Sequence, residues 1–205
     1  MREKIENNVV VITGEVASAF SFSHEVLGEK FYEFHVKVKR LSGSEDLIPV
    51  VVSERLLDVS EDLTGVPVKV SGQFRSHNLH DGKSRLILHV FTRELEFLND
   101  CEDGINHISL EGFVCKPPTY RETPLGREIA DLLIAVNRPY GKSDYIPCIC
   151  WGRNARFVSG VGVGSKIKVQ GRIQSRKYSK KISETEYEDR VAYEVSVSSV
   201  SIIEG

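Results

Sequence analysis

YIPCICWG (145–152) reads as a strand with two faces, and LIPVVVSE (47–54) reads as the same strand 98 positions earlier without its rings. In the later stretch Ile146, Cys148 and Cys150 share one parity, while Tyr145, Pro147, Ile149 and Trp151 share the other. Successive strand residues point to opposite faces, so the first set fills an interior and the two rings project outward. At ~3.3 Å per residue those rings stand about 20 Å apart.

The echo runs on in both directions. At the same offset of 98, Gly14 matches Gly112, Val16 matches Val114, Leu27-Gly28 matches Leu125-Gly126, Arg40 matches Arg138 and Gly43 matches Gly141. Asp46, Ile48, Pro49 and Arg55 match Asp144, Ile146, Pro147 and Arg153. One inserted residue moves the offset to 99, where VKVSG (68–72) meets IKVQG (167–171) and Ser76 meets Ser175. Two copies follow, 1–103 and 104–205, joined near NDCEDG (99–104).

Each copy reads as five strands. In the second they fall at about 107–115, 128–138, 144–152, 165–175 and 190–203, rich in residues that suit a pleated surface. RNARFVSGVG (153–162) is expected to form a short helix between the third and fourth strands, and SERLLDVSEDLTG (53–65) takes that place in the first copy. The expected fold is all-β: two tandem OB-folds, five-stranded Greek-key barrels that bind oligonucleotides or oligosaccharides, each with that helix. In SKIKVQGRI (165–173), Ile167, Val169 and Ile173 face in and Lys166, Lys168 and Arg172 face out. Strand 128–138 is apolar on both parities, which implies that a subunit or inter-domain contact covers its outer side.

Composition sets the class. The 205 residues are 40 % hydrophobic and 27 % charged, with no apolar run long enough for a membrane span, so a soluble globular protein is expected. The start MREKIENN lacks an apolar signal segment, which places the protein in the cytoplasm. Cys101, Cys115, Cys148 and Cys150 include no CxxC pair and read as reduced structural thiols; no metal or cofactor is expected. The net charge of −2 hides an asymmetry: residues 1–103 hold 12 Lys+Arg against 18 Asp+Glu, residues 104–205 hold 15 against 11.

The rings divide in the same way. The first copy has seven Phe and one Tyr, the second two Phe, six Tyr and the only Trp. Tyr and Trp tolerate a wet surface, whereas Phe more often fills cores. Tyr140, Tyr145, Trp151 and Tyr178 stand where the first copy has Ser42, Leu47, Ser53 and Leu79, so the first copy lacks the platforms. Outward rings offer stacking to any base, and cations among them offer phosphate contacts. Arg138, Lys142, Arg153, Lys166, Lys168, Arg172, Arg176 and Lys177 are the candidate cations, several in loops beside rings, as in RPYGK (138–142) and SRKYSKK (175–181).

The second copy resembles the bacterial single-stranded-DNA-binding proteins of the OB-fold family. TPLGREIADLLIAVNRPY (123–140), DYIPCICWGRNA (144–155) and GSKIKVQGRIQSRKY (164–178) resemble that family's second strand, third strand with helix start, and fourth strand with its basic-aromatic end. The resemblance implies base stacking on Tyr140, Tyr145, Trp151 and Tyr178, and single-stranded DNA as partner in replication, repair or recombination. Family chains usually carry one barrel and form tetramers, so a homodimer of this chain would supply the same four barrels. The family's long segment with an acidic tip has no counterpart after SIIEG (201–205), which puts recruitment of replication or recombination proteins by that route in doubt.

Other patterns read as structure. GVGVG (160–164) lacks the lysine and serine of a phosphate loop and leads into a strand, so it is a flexible connector. Glu45-Asp46 reads as a solvated loop pair, and KKISETEYED (180–189) as a mobile hairpin tip with only Lys180 and Lys181 near nucleic acid. The six histidines lack metal spacing, and no catalytic pattern is present, so the protein is expected not to be an enzyme. A tandem protein-interaction module and an RNA-binding accessory are the rival readings.

Overall fold

The computed structural model describes residues 6–80, 84–100, 104–183 and 186–203. The first unit contains β1 (Asn8–Val16), β2 (Ser21–Val26), β3 (Glu29–Lys39), β4 (Glu45–Ser53), β5 (Pro67–His80) and β6 (Ser84–Phe97). The second contains β7 (Asn106–Val114), β8 (Thr119–Glu122), β9 (Glu128–Asn137), a 3-10 turn at Pro139–Gly141, β10 (Ser143–Trp151), α1 (Arg153–Ser159), β11 (Lys166–Lys181) and β12 (Tyr187–Ile202). In each unit five strands close on themselves in one order: β1-β3-β4-β6-β5 returns to β1, and β7-β9-β10-β12-β11 returns to β7. Among the described residues only β4–β6 and β10–β12 pair in parallel, which is the Greek-key step. The all-β OB architecture expected from the repeat is present twice.

Alternation builds each interior. Val10, Ile12, Ile48, Val70 and Phe74 fill one barrel, and Ile108, Leu110, Ile134, Ile146, Ile167 and Ile173 fill the other, all fully buried. Cys148 and Cys150 point inward as expected, and burial pushes both thiols up, Cys150 to about 12, so neither is a nucleophile. Cys101 lies outside the described residues.

Four expectations need correction. Each unit has a sixth strand, β2 or β8, hairpin-paired to the outside of β3 or β9. No helix forms at 53–65: Asp58 Oδ1 accepts from Ser60 N and Oγ, and Asp62 Oδ1 accepts from Thr64 N. Such local bonds offer the backbone an alternative to helix. The stretch 175–181 is strand rather than loop: β11 and β12 pair from Ile167↔Ile202 to Lys181↔Tyr187, forming a long arm that mirrors the β5–β6 arm. Finally, Asp46 is not solvated; it lies in β4, fully buried.

Asp46 explains how the units are held together. Arg40 donates to it through Nε and Nη2 at 2.7 and 2.5 Å, and Asp46 Oδ1 accepts from Ser175 N and Oγ on the other unit's arm at 2.6 and 2.8 Å. The repeat supplies the reciprocal contact. Buried Asp144 accepts from Ser76 N at 2.7 Å, Ser76 Oγ accepts from Tyr145 N at 2.7 Å, and Arg138 Nε faces Asp144 Oδ2 at 3.2 Å. Arg, Asp and Ser matched in the repeat because each unit's arm is pinned by the other's aspartate. β1 and β7 add an antiparallel pairing from Asn8↔Leu110 to Ile12↔Asn106, so one sheet runs through both units.

The matched glycines Gly72 and Gly171 both sit at register shifts in these arms. A Cβ at Gly171 would drive into the carbonyl oxygen of Ser196, and one at Gly72 into that of Phe91. Gly171→Ala is therefore expected to cost about 2 kcal/mol, by overpacking against backbone. Thermal melts should show Tm lower by roughly 4–8 °C; an unchanged Tm would mean that the close approach is not real.

Candidate nucleic-acid interface

β10 carries the aromatic positions. Tyr145 is 44 % and Trp151 39 % exposed, at opposite ends of the outward face that the alternation defined, with Pro147 and Ile149 between them. Strand pairing extends this face sideways. Opposite Tyr145 stands Ala135 on β9, opposite Ala135 stands Phe113 on β7, and opposite Phe113 stands Lys166 on β11. Directly opposed residues share a face, so these four form one transverse band. At the other end Trp151 opposes Ile129, which opposes Arg121 on β8.

This floor also accounts for the doubly apolar strand. The inner residues Ala130, Leu132, Ile134 and Val136 are buried in the barrel, while Leu133 and Ala135 on the outer side are half-buried between β10 and the strands beside them. The first unit does not cover them. Its principal contacts with the second are β1–β7, β5–β10 and β4–β11.

The remaining rings come from loop and arm. Tyr140 is 99 % exposed on the 3-10 turn at the Tyr145 end of β10, with φ 64°, a left-handed conformation uncommon for a bulky residue. Tyr178, on the β11 arm, lines a groove of about 500 Å3 together with Pro147 of the floor and Pro49 of the first unit. The arm thus places Tyr178 in a groove between the units that Pro147 borders. Phe113, 37 % exposed, is an aromatic outside the candidate set; its parity, opposite to buried Ile108, Leu110 and Val114, marks it as outward-facing.

The candidate cations separate into two groups. Lys142, Arg153, Lys166 and Lys177 are exposed and have no carboxylate partner among the described residues. The others are engaged. Arg138 faces Asp144; Arg172 donates to Gln174 and lies 3.9 Å from Asp46; Arg176 faces Glu194 at 3.6 Å and stands 5.7 Å above the Tyr178 ring; Lys168 pairs with Glu111 at 3.4 Å. Arg138 is thereby held at the unit junction by Asp144, and Arg172 by Gln174. Among the described residues no cluster of three or more His, Cys, Asp or Glu is placed to hold a metal, and no helix is long and apolar enough to cross a membrane.

Two closed Greek-key barrels with an aromatic face on one of them define an OB-fold protein. The sequence profile of the Single-strand binding protein family matches residues 105–203, the second unit. Single-stranded DNA-binding protein from Oceanobacillus iheyensis is 34 % identical over 107 residues, 49 % of this chain and 64 % of that protein. Single-stranded DNA-binding protein A of Bacillus subtilis is 34 % identical over 108 residues, 49 % of this chain and 60 % of that protein. The match thus spans less than two thirds of the length of these relatives. The fold is shared over nearly the whole chain with wild-type single-stranded DNA binding protein from Thermus aquaticus: TM-score 0.77 at 18 % identity, covering 97 % of this chain and 93 % of that one.

Proposed function

We propose that the chain binds single-stranded DNA without sequence preference through its second unit, in replication, repair or recombination. The observation that carries this reading is the outward, half-exposed placement of Tyr145 and Trp151 on one apolar floor, with Tyr140 and Tyr178 reaching the same face. Unstacked bases lie on the rings, and Lys142, Arg153, Lys166 and Lys177 meet the phosphates. Residues 1–103 form a scaffold domain and 104–205 the binding domain. At the place of Tyr145 the first unit has Leu47, and at that of Trp151 it has Ser53, which is buried.

Trp151 is the only tryptophan, so its emission reports the site directly. Titration with dT oligomers is expected to quench it, with affinity falling steeply as salt rises. Absence of both quenching and salt dependence would sink the reading, and preference for rU over dT would turn it towards RNA. Replacing Lys142, Arg153, Lys166 and Lys177 by alanine one at a time is expected to flatten the plot of log K against log salt by about 0.7 each. An unchanged slope removes that lysine or arginine from the phosphate set.

A homodimer with four barrels completes the proposal. It is supported by the open edge strand β2, wholly exposed and bearing Phe22 and Val26. Light scattering with and without oligonucleotide measures it, and a monomeric mass in both states would refute it.

A further inference from the structure

The first unit is acidic overall, yet it holds one basic pocket. A cavity of about 380 Å3 at its junction with the second unit is lined by Arg75, Arg138, His24, His77, His89 and Phe91. The Arg75 guanidinium lies over Phe91, its Cζ 3.8 Å from the ring centroid, and Nη2 donates to Gln73 Oε1 at 3.0 Å. Its Nε is buried without a hydrogen-bond partner among the described residues. A buried donor left unpaired is destabilising, so a site that keeps one is suited to an acceptor from outside.

The corresponding place in the second unit is filled differently. Strand register and repeat put Gln174, Arg176 and Glu194 where Arg75, His77 and His89 stand. There Gln174 donates to Glu194 at 2.8 Å and Arg176 faces the same carboxylate at 3.6 Å, so the group is neutral within itself. In the first unit Glu33 lies half-exposed on the pocket lining, and beside Ser76 of that lining Asp144 of the second unit accepts from Ser76 N, with Arg138 Nε 3.2 Å from an Oδ2 that has no hydrogen-bond partner among the described residues. Arg75 is attracted by Asp144 but makes no close ion pair among the described residues, and three imidazoles stand beside it.

We propose that this pocket binds a backbone phosphate of single-stranded DNA passing from the second unit onto the first, with Arg75 as its principal donor. The proposal rests on DNA binding by the second unit and extends it, giving the unit without stacking platforms an electrostatic part in the path. It also carries a pH dependence. Burial, then the charges of His77, Arg75, His24 and Arg138, hold His89 down to about 4. A bound anion opposes each of those repulsions, so binding draws a proton onto His89 and strengthens as pH falls.

The test compares the full-length chain with Arg75→Gln, which installs the second unit's residue, and with His89→Gln. A short dT oligomer that only the second unit can hold is expected to quench Trp151 equally in all three proteins. A long dT oligomer spanning both units is expected to bind Arg75→Gln roughly tenfold more weakly, with a salt slope flatter by about 0.7. His89→Gln should reduce the gain in long-oligomer affinity at low pH. Unchanged long-oligomer binding in Arg75→Gln overturns the proposal, whereas failure of the short oligomer to bind the wild type overturns the reading of the second unit instead. Inorganic phosphate and thymidine monophosphate, followed by histidine proton NMR, separate the sources. Phosphate-dependent shifts lost in Arg75→Gln but unaccompanied by any loss of long-oligomer affinity would assign the pocket to a free phosphate and refute the DNA path.

Discussion

Replacing Tyr145 and Trp151 together by alanine is expected to weaken binding of a dT oligomer by about 2–6 kcal/mol, a factor of roughly 30 to 10^4. Each ring loses one stacked base, and a stacked base is worth ~1–3 kcal/mol. Since Trp151 is the only tryptophan, the measurement needs a labelled oligomer and its anisotropy. Two controls separate stacking from collapse of the site. Both side chains are more than a third exposed, so the melt should move little. No cation is removed, so the salt slope should stay that of the wild type. A double variant that binds like the wild type would mean that bases do not lie on β10, whatever the cations do.

The sequence made that strand legible because its signal is local. Parity alone separated Ile146, Cys148 and Cys150 from Tyr145 and Trp151, and the barrel keeps that division. The repeat was legible for the same reason: Gly72 and Gly171, or Asp46 and Asp144, can be matched without knowing what they touch. What they touch was not legible. Asp46 meets Ser175 across 129 positions, and nothing beside Glu45-Asp46 in the chain announces that contact. Arg138 therefore read as a phosphate ligand when its guanidinium faces a buried carboxylate. The arms were missed because β11 beyond Ser175 is exposed on both faces, so it shows no apolar alternation to mark a strand. Ladder hydrogen bonds to β12 sustain it instead. The absent helix at 53–65 is the opposite case, since Asp58 and Asp62 signal local turns, whereas the expectation came from the segment's place in the repeat opposite the second unit's helix.

The reciprocal aspartates give the second large effect, and they differ in sign. Asp46→Ala removes a buried carboxylate gripped by Arg40 and Ser175, and the expected loss is about 3 kcal/mol, at the lower end for a broken buried pair because Arg40 retains some access to water. Burial alone would raise the Asp46 pKa, but the hydrogen bonds from Arg40 and Ser175 outweigh it and hold the carboxyl below its ordinary value. The native state then binds its proton later than the unfolded chain. Its contribution is complete above the ordinary value near 3.8 and fades as pH falls through the native pKa. For Asp144 burial wins over the Ser76 N–H and the charges of Arg138 and Arg75, and the pKa is raised. The native state takes up this proton first, so its contribution is largest at low pH and shrinks as pH rises through the raised value. Denaturant unfolding of wild type, Asp46→Ala and Asp144→Ala across the acid range should therefore give opposite trends. The gap between wild type and Asp46→Ala narrows as pH falls, and the gap to Asp144→Ala widens. Parallel curves would show that the two locks are electrostatically alike, and that the difference between the aligned Arg40 and the offset Arg138 has no energetic consequence.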